Sequence, residues 1–214
     1  MFLDYFDKVF LVNLKKRKDR LQRFISRISS IGESVGAKDS TITLFDAVEG
    51  AQIPTSERRG SPGVAGCRQS HINIIKKAKK NNYDKILILE DDVTFSSDFS
   101  IKFNELMRTL PEDWDMLYFG GNHQESPIKI KGICHKVKVY STHAYAVKST
   151  LYDHIITILE KHDCPVDVAY RHEIHELDKF KTYGAYPQIA GQEVGHSDIL
   201  NRKVDHRRVL GDVK

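Results

Sequence analysis

Three consecutive carboxylates, Glu90, Asp91 and Asp92, stand directly after the apolar run Ile86, Leu87, Ile88 and Leu89. Negative charges crowded at the exit of a buried segment lose hydration and repel one another, so they require a cation or a set of hydrogen-bond donors. A divalent metal is the simplest compensation. Carboxylate oxygens suit magnesium or manganese, ions that keep several waters and bind through one or two carboxylates together with substrate phosphates. The competing reading is an acidic stretch that ends a strand and caps the next loop, which is the commoner fate of an isolated Glu-Asp-Asp. With the metal granted, polymerases, phosphatases and sugar transferases share this chemistry, and the triplet alone does not choose among them.

Other residues could serve the same ligand. Asn13, Arg17 and Arg20 follow the apolar run Val9 to Val12. A backbone turn and helix start there could receive a nucleotide, with guanidinium groups available for its phosphates. Arg20 reads equally well as a surface ion pair. Asp46 follows a short apolar segment and offers a carboxylate to a ribose or base. Ser70 and His71 are placed at the start of a helix, where a serine is ordinarily a cap, and a histidine with both nitrogens satisfied is as good a reading as a substrate contact. The HEIHE stretch from His172 to Glu176 spaces its histidines three apart, whereas the zinc-protease motif needs four, so it reads as a polar helix face. The chain has neither a P-loop nor a GxGxxG, which argues against nucleoside triphosphatases and dehydrogenases.

The elements that must position these groups follow from periodicity. Lys8 to Leu14 reads as a strand, and Leu21, Phe24, Ile25, Ile28 and Ile31 as one face of a helix stopped by Gly32. A short strand is expected at Ile42 to Phe45, then a polar loop with Pro54, Arg58 and Arg59, then a helix from near Gln69 to about Lys80. Lys85 to Leu89 is continuously apolar, as a central strand covered on both faces should be. A helix over Phe99 to Leu110 and a strand over Asp115 to Phe119 follow. Val137 to Tyr140 and Ala144 to Val147 read as strands joined by a short polar turn. Further helices are expected at Leu151 to Leu159 and Val168 to Leu177, with a strand at Ala185 to Ile189. This alternation predicts an α/β protein with a mainly parallel sheet flanked by helices and ligands beyond the carboxyl ends of its strands.

Composition bounds the reading. With 214 residues, 40% apolar and 29% charged, the chain supports one well-buried domain, expected over residues 1–200, with a basic tail over 201–214. A net charge of +4 from 33 basic and 29 acidic side chains, without a basic motif or aromatic platform, argues against nucleic acid. Cys67, Cys134 and Cys164 make neither a disulfide framework nor a zinc spacing, which favours a reducing compartment. No run of about 18 apolar residues and no cationic leader is visible, so a cytoplasmic location is expected. Arg202, Arg207 and Arg208 in the tail could reach phosphates or hold the protein at an anionic membrane.

Several segments occur together and in order: VFLVNLKKRKDR from Val9 to Arg20, FDAVEG from Phe45 to Gly50, GCRQSH from Gly66 to His71, ILILEDDV from Ile86 to Val93, THAYAV from Thr142 to Val147, and Pro165 to Asp167. Over roughly residues 8–200 this series resembles glycosyltransferase family 25, which includes bacterial lipooligosaccharide galactosyltransferases and collagen hydroxylysine galactosyltransferases. The resemblance implies a single-domain A-type glycosyltransferase (Rossmann-like) fold. It also implies metal-dependent, inverting transfer of a hexose, galactose or glucose, from a UDP-sugar donor to an acceptor hydroxyl in glycan or lipopolysaccharide biosynthesis. The acceptor would be a glycan, a lipid-linked saccharide or a hydroxylysine.

By the same resemblance Asp92 is the expected ligand of Mn2+ or Mg2+, with Asp91 and Glu90 facing the ribose or holding coordinated water. Ser70 and His71 fall near the donor. Asp167 is the expected base, with helix capping as its alternative, and His196 in a late loop is a second expected metal ligand, with exposure in the tail as its alternative. Two other readings stay open: a nucleotidyltransferase, and a catalytically silent glycan- or protein-binding module of the same fold.

Overall fold

The computed structural model describes residues 2–32, 42–199 and 202–205. Residues 206–214, with Arg207 and Arg208 of the expected basic tail, lie outside the described residues, and so does the side chain of His196.

The first strand, β1 (Lys8–Asn13), sends Val9 and Leu11 to one face and Phe10 to the other. Helix α1 (Lys18–Ser30) packs Phe24 and Ile28 on the Val9 side, and Gly32 follows at φ +83, the left-handed conformation expected at that stop. β2 (Ile42–Asp46) pairs parallel with β1. Helix α2 (Pro62–Lys80) begins well before Gln69. Its start signals are local and polar: the Ser61 side chain accepts the Val64 N–H, and Pro62 occupies the first helical turn. Apolar periodicity misses them because the opening turns carry glycines.

β3 (Lys85–Glu90) turns Ile86 and Ile88 toward α2 and Leu87 and Leu89 toward α1. β4 (Val93–Phe95), α3 (Phe99–Thr109) and β5 (Met116–Tyr118) follow. Next come β6 (Asn122–His123), β7 (Ile128–Lys131), β8 (Cys134–Lys136), β9 (Val139–Tyr140) and β10 (Ala144–Lys148). β9 and β10 do not pair with each other. Ser141, at φ +87, turns the chain, so that β9 pairs with β6 while β10, buried on both faces, enters the sheet between β3 and β5.

Helices α4 (Tyr152–Lys161) and α5 (Val166–Tyr170) cover the α2 face, and α5 continues as a π-helical turn over Arg171–His175. β11 (Thr182–Ala185) ends before Pro187, which has no N–H to continue a ladder, so the strand sits N-terminal to the expected Ala185 to Ile189. β12 (Ala190–Gln192) pairs with β4, and β13 (Gly195–Ser197) pairs with β14 (Arg202–Val204).

The main sheet has the order β2-β1-β3-β10-β5-β11-β8-β7, with β10 and β8 opposed to the rest. It separates two apolar layers, one built on α1 and α3 and one on α2, α4 and α5. Among the described residues no helix is long and apolar enough to cross a membrane.

Candidate active site

The parallel strands β1, β2 and β3 end at one edge of the sheet, where a cavity of about 320 Å³ opens. Its wall takes Leu14 and Arg20 from the β1 exit, Val48 to Gly50 from the β2 exit, and Glu90, Asp91 and Asp92 from the β3 exit. Helix α2 adds Gly63, Cys67, Ser70 and His71, and Gln192, Glu193, Gly195, Ser197 to Ile199 and Val204 close the remaining side.

The three carboxylates have different surroundings. Asp91 is buried; Asn13 Nδ2 donates to its Oδ2 at 2.6 Å and Arg20 Nη1 to its Oδ1 at 2.8 Å. Burial pushes the Asp91 carboxyl up, against the pull of Arg20 and Asn13. Asp92 Oδ2 lies 3.4 Å from Arg20 Nη1, while its Oδ1 is buried without a hydrogen-bond partner among the described residues. Glu90 accepts the Thr142 hydroxyl at 2.6 Å, and burial, reinforced by repulsion from Asp92, pushes its carboxyl up to about 8. Burial alone would lower the Arg20 guanidinium, but Asp92 and Asp91 hold it above its ordinary range.

Asp92 Oδ1 bears on whether a divalent ion fits. Among the described residues no group of three or more His, Cys, Asp or Glu side chains is arranged to hold a metal. The chain therefore offers a carboxylate oxygen or two and leaves other positions to water and phosphate, a donor set that suits Mg2+ or Mn2+ better than an ion needing a protein cage.

The remaining sequence-derived candidates separate into two groups. Ser70 and His71 line the cavity, but they lie inside α2 and not at its start. The Ser70 hydroxyl donates to the Gly66 carbonyl at 2.7 Å and accepts the Val48 N–H at 2.8 Å, tying α2 to the β2 exit. His71 is buried and pushed down to about 4 by burial, so it is neutral near pH 7. Asn13 and Arg17 are absent from the wall. Asn13 holds Asp91, and Arg17 pairs with Asp19 at 3.1 Å and with Asp198. Asp46 is exposed and pairs with Lys15 at 3.1 Å. Asp167 stands outside the wall too, with Oδ2 accepting the Ser141 N–H at 3.0 Å and Oδ1 the Val168 N–H at 2.9 Å.

Sequence reading missed Thr142 as the partner of Glu90, and Tyr145, whose hydroxyl lies 2.7 Å from His71 Nδ1. It also missed Arg23 and Arg27, which reach Glu193 at 3.0 and 3.1 Å and fasten the closing segment to α1. Their one helical turn of spacing on a polar face was the available signal.

A mixed sheet between two helical layers, with an acid-lined cavity beyond its parallel strand ends, is the A-type glycosyltransferase fold. A solved glycosyltransferase involved in the glycosylation of the major capsid of PBCV-1 shares it, with a TM-score of 0.53 and 10% identity over 89% of this chain and 93% of that one. The family model described as Glycosyltransferase family 25 (LPS biosynthesis protein) matches residues 6–163, and the chain belongs to that family. Similar relatives include procollagen galactosyltransferase 2 of Mus musculus, 32% identical over 54% of this chain and 21% of that protein. Another is a probable inactive glycosyltransferase 25 family member 3 of Bos taurus, 30% identical over 66% of this chain and 27% of that one. The chain thus spans about a fifth to a quarter of the length of these curated relatives.

Proposed function

We propose that the cavity binds a UDP-hexose with Mn2+ or Mg2+ and that the chain transfers galactose or glucose, with inversion, to a hydroxyl of a glycan, a lipid-linked saccharide or a hydroxylysine. The observation that carries this reading is the buried Oδ1 of Asp92, without a hydrogen-bond partner among the described residues, beside Arg20 in the wall of a cavity at the strand ends. Asp92 would hold the metal, and the metal would neutralise charge on the departing diphosphate. Asn13 and Arg20 hold Asp91 in place beside it, so the carboxylate of Asp92 is presented by a fixed turn.

Several relatives are named as inactive or probably inactive family members, which keeps a silent binding module as a second reading. A nucleotidyltransferase would instead release pyrophosphate from a nucleoside triphosphate. Thermal-shift titration with UDP-galactose, UDP-glucose and UTP plus Mn2+, followed by product analysis of each UDP-hexose and of UTP supplied with a hexose 1-phosphate, separates the three readings. Ligand binding to the folded state raises the melting temperature. UDP and a glycoside or free hexose as products mark transfer, binding without turnover marks the silent module, and pyrophosphate marks the nucleotidyltransferase. Asp92→Asn is expected to reduce transfer by about a hundredfold or more while leaving the fold intact. Unreduced transfer by that variant would remove Asp92 from the site.

A further inference from the structure

His71 is sequestered, yet among the described residues only one of its ring nitrogens has a hydrogen-bond partner. Nδ1 lies 2.7 Å from the Tyr145 hydroxyl, which lies 3.2 Å from the Tyr170 hydroxyl. All three side chains are buried. When Tyr170 donates to Tyr145 and Tyr145 to Nδ1, the neutral ring carries its proton on Nε2, the arrangement taken here; with both bonds reversed Nε2 is an acceptor. Nε2 is buried without a hydrogen-bond partner among the described residues, on a side chain that lines the cavity. Buried polar atoms are matched in nearly all folded proteins, so an unmatched one in a cavity wall calls for a ligand.

Its nearest carboxylate supplies the other half of a site. Nε2 lies 4.0 Å from Glu90 Oε1, beyond hydrogen-bond distance. One hydroxyl oxygen at about 2.8 Å from each atom fits between them, accepting from Nε2–H and donating to Oε1. Glu90 Oε1 is itself fixed by the Thr142 hydroxyl. Glu90 is the residue next but one before Asp92, so a hexose joined to a diphosphate at Asp92 comes within reach of the pair. Val48 and Glu49 also line the cavity, from the exit of the edge strand β2.

We propose that His71 Nε2 and Glu90 Oε1 form a recognition site for one hydroxyl of the donor hexose, with Tyr145 and Tyr170 as the positioning residues that set the histidine tautomer. This rests on the transferase reading given above. Such a site is stereochemically selective: an epimer with that hydroxyl inverted leaves Nε2 and Oε1 both unmatched, and a site built to bond a hydroxyl rejects a sugar that cannot place one there.

The test is calorimetric titration, in Mn2+, of wild type, His71→Phe and Tyr145→Phe with UDP, UDP-galactose, UDP-glucose and the 2-, 3-, 4- and 6-deoxy analogues of the preferred hexose. His71→Phe is expected to keep the affinity for UDP and to lose about tenfold on the preferred UDP-hexose. For one deoxy analogue, wild type and variant should bind equally, because the hydroxyl they differ over is gone. Tyr145→Phe should show a smaller loss with the same analogue pattern, and it carries the comparison if His71→Phe does not fold. An equal loss on UDP and every analogue, or no loss on the hexose, overturns the hydroxyl site alone. Wild type that binds neither UDP nor any UDP-hexose overturns the transferase reading and this site with it.

Discussion

Arg20 is the side chain on which the acidic turn depends before any ligand arrives. It is largely buried and meets Asp91 at 2.8 Å and Asp92 at 3.4 Å. The opposite charge offsets desolvation that both carboxylates would otherwise bear alone. Asp91 has a second donor in Asn13, whereas Asp92 Oδ1 has no hydrogen-bond partner among the described residues. Removing one partner of a buried pair leaves an uncompensated charge, and Arg20→Met is expected to lower unfolding free energy by about 3 kcal/mol. Urea unfolding monitored by circular dichroism in EDTA checks this. A midpoint equal to that of wild type would mean the carboxylates do not need the guanidinium. Asp167 belongs with the supporting residues by its contacts: its carboxylate bridges the N–H groups of Ser141 and Val168, joining the start of α5 to the turn that carries Thr142 to Glu90.

At the scale of elements, the cavity wall depends on how closely α2 approaches the loop after β2. A Cβ added at Gly66 would sit 2.4 Å from the Val48 carbonyl oxygen and 2.7 Å from the Gly50 backbone nitrogen. Neither atom is the end of a flexible side chain, so Gly66→Ala must push helix and loop apart. The expected loss is about 1–3 kcal/mol of stability. Disturbed binding of the proposed UDP-hexose donor should accompany it, because Val48 and Ser70 both line the cavity. Denaturant titration and calorimetry of that variant check both effects, and an unperturbed variant would show that the approach is looser than drawn.

This packing also explains what could be read from the sequence. The β1 and β3 exits were legible because their apolar runs are continuous and end in polar residues. The glycines of FDAVEG and GCRQSH were visible as segments, but not as one backbone contact between them. Asn13 and Asp91 meet across 78 positions of sequence, and Arg27 and Glu193 across 166, so their pairing depends on sheet order and a closing segment that local periodicity does not encode. Short strands such as β6 and β12 were illegible for the same reason: two or three residues carry too little pattern.

For the whole molecule, buried neutral histidines link stability to pH. His175 is buried with its Nε2 3.2 Å from the Tyr118 hydroxyl, and burial, aided by the cations Arg171 and Lys138, pushes it from an ordinary 6.5 down to about 3. The unfolded chain takes up a proton on this ring below about 6.5, which the folded chain refuses until near 3. Between those values the unfolded state binds more protons, so stability falls as pH falls, by up to about 1.4 kcal/mol per pH unit for one such group. Glu90 works in the opposite sense: raised to about 8, it is protonated in the folded state before the unfolded one, and acidification through that range favours the fold. The total slope therefore mixes signs, and only the difference between wild type and a histidine variant isolates the ring. His175→Gln is expected to be less stable at pH 7 through lost packing, yet to lose stability less steeply between pH 6 and pH 4. Urea midpoints for both proteins across that range measure the difference. Parallel pH dependences would show that His175 accepts its proton in the folded molecule near the ordinary value, and that the layer formed by α2, α4 and α5 admits water to this ring.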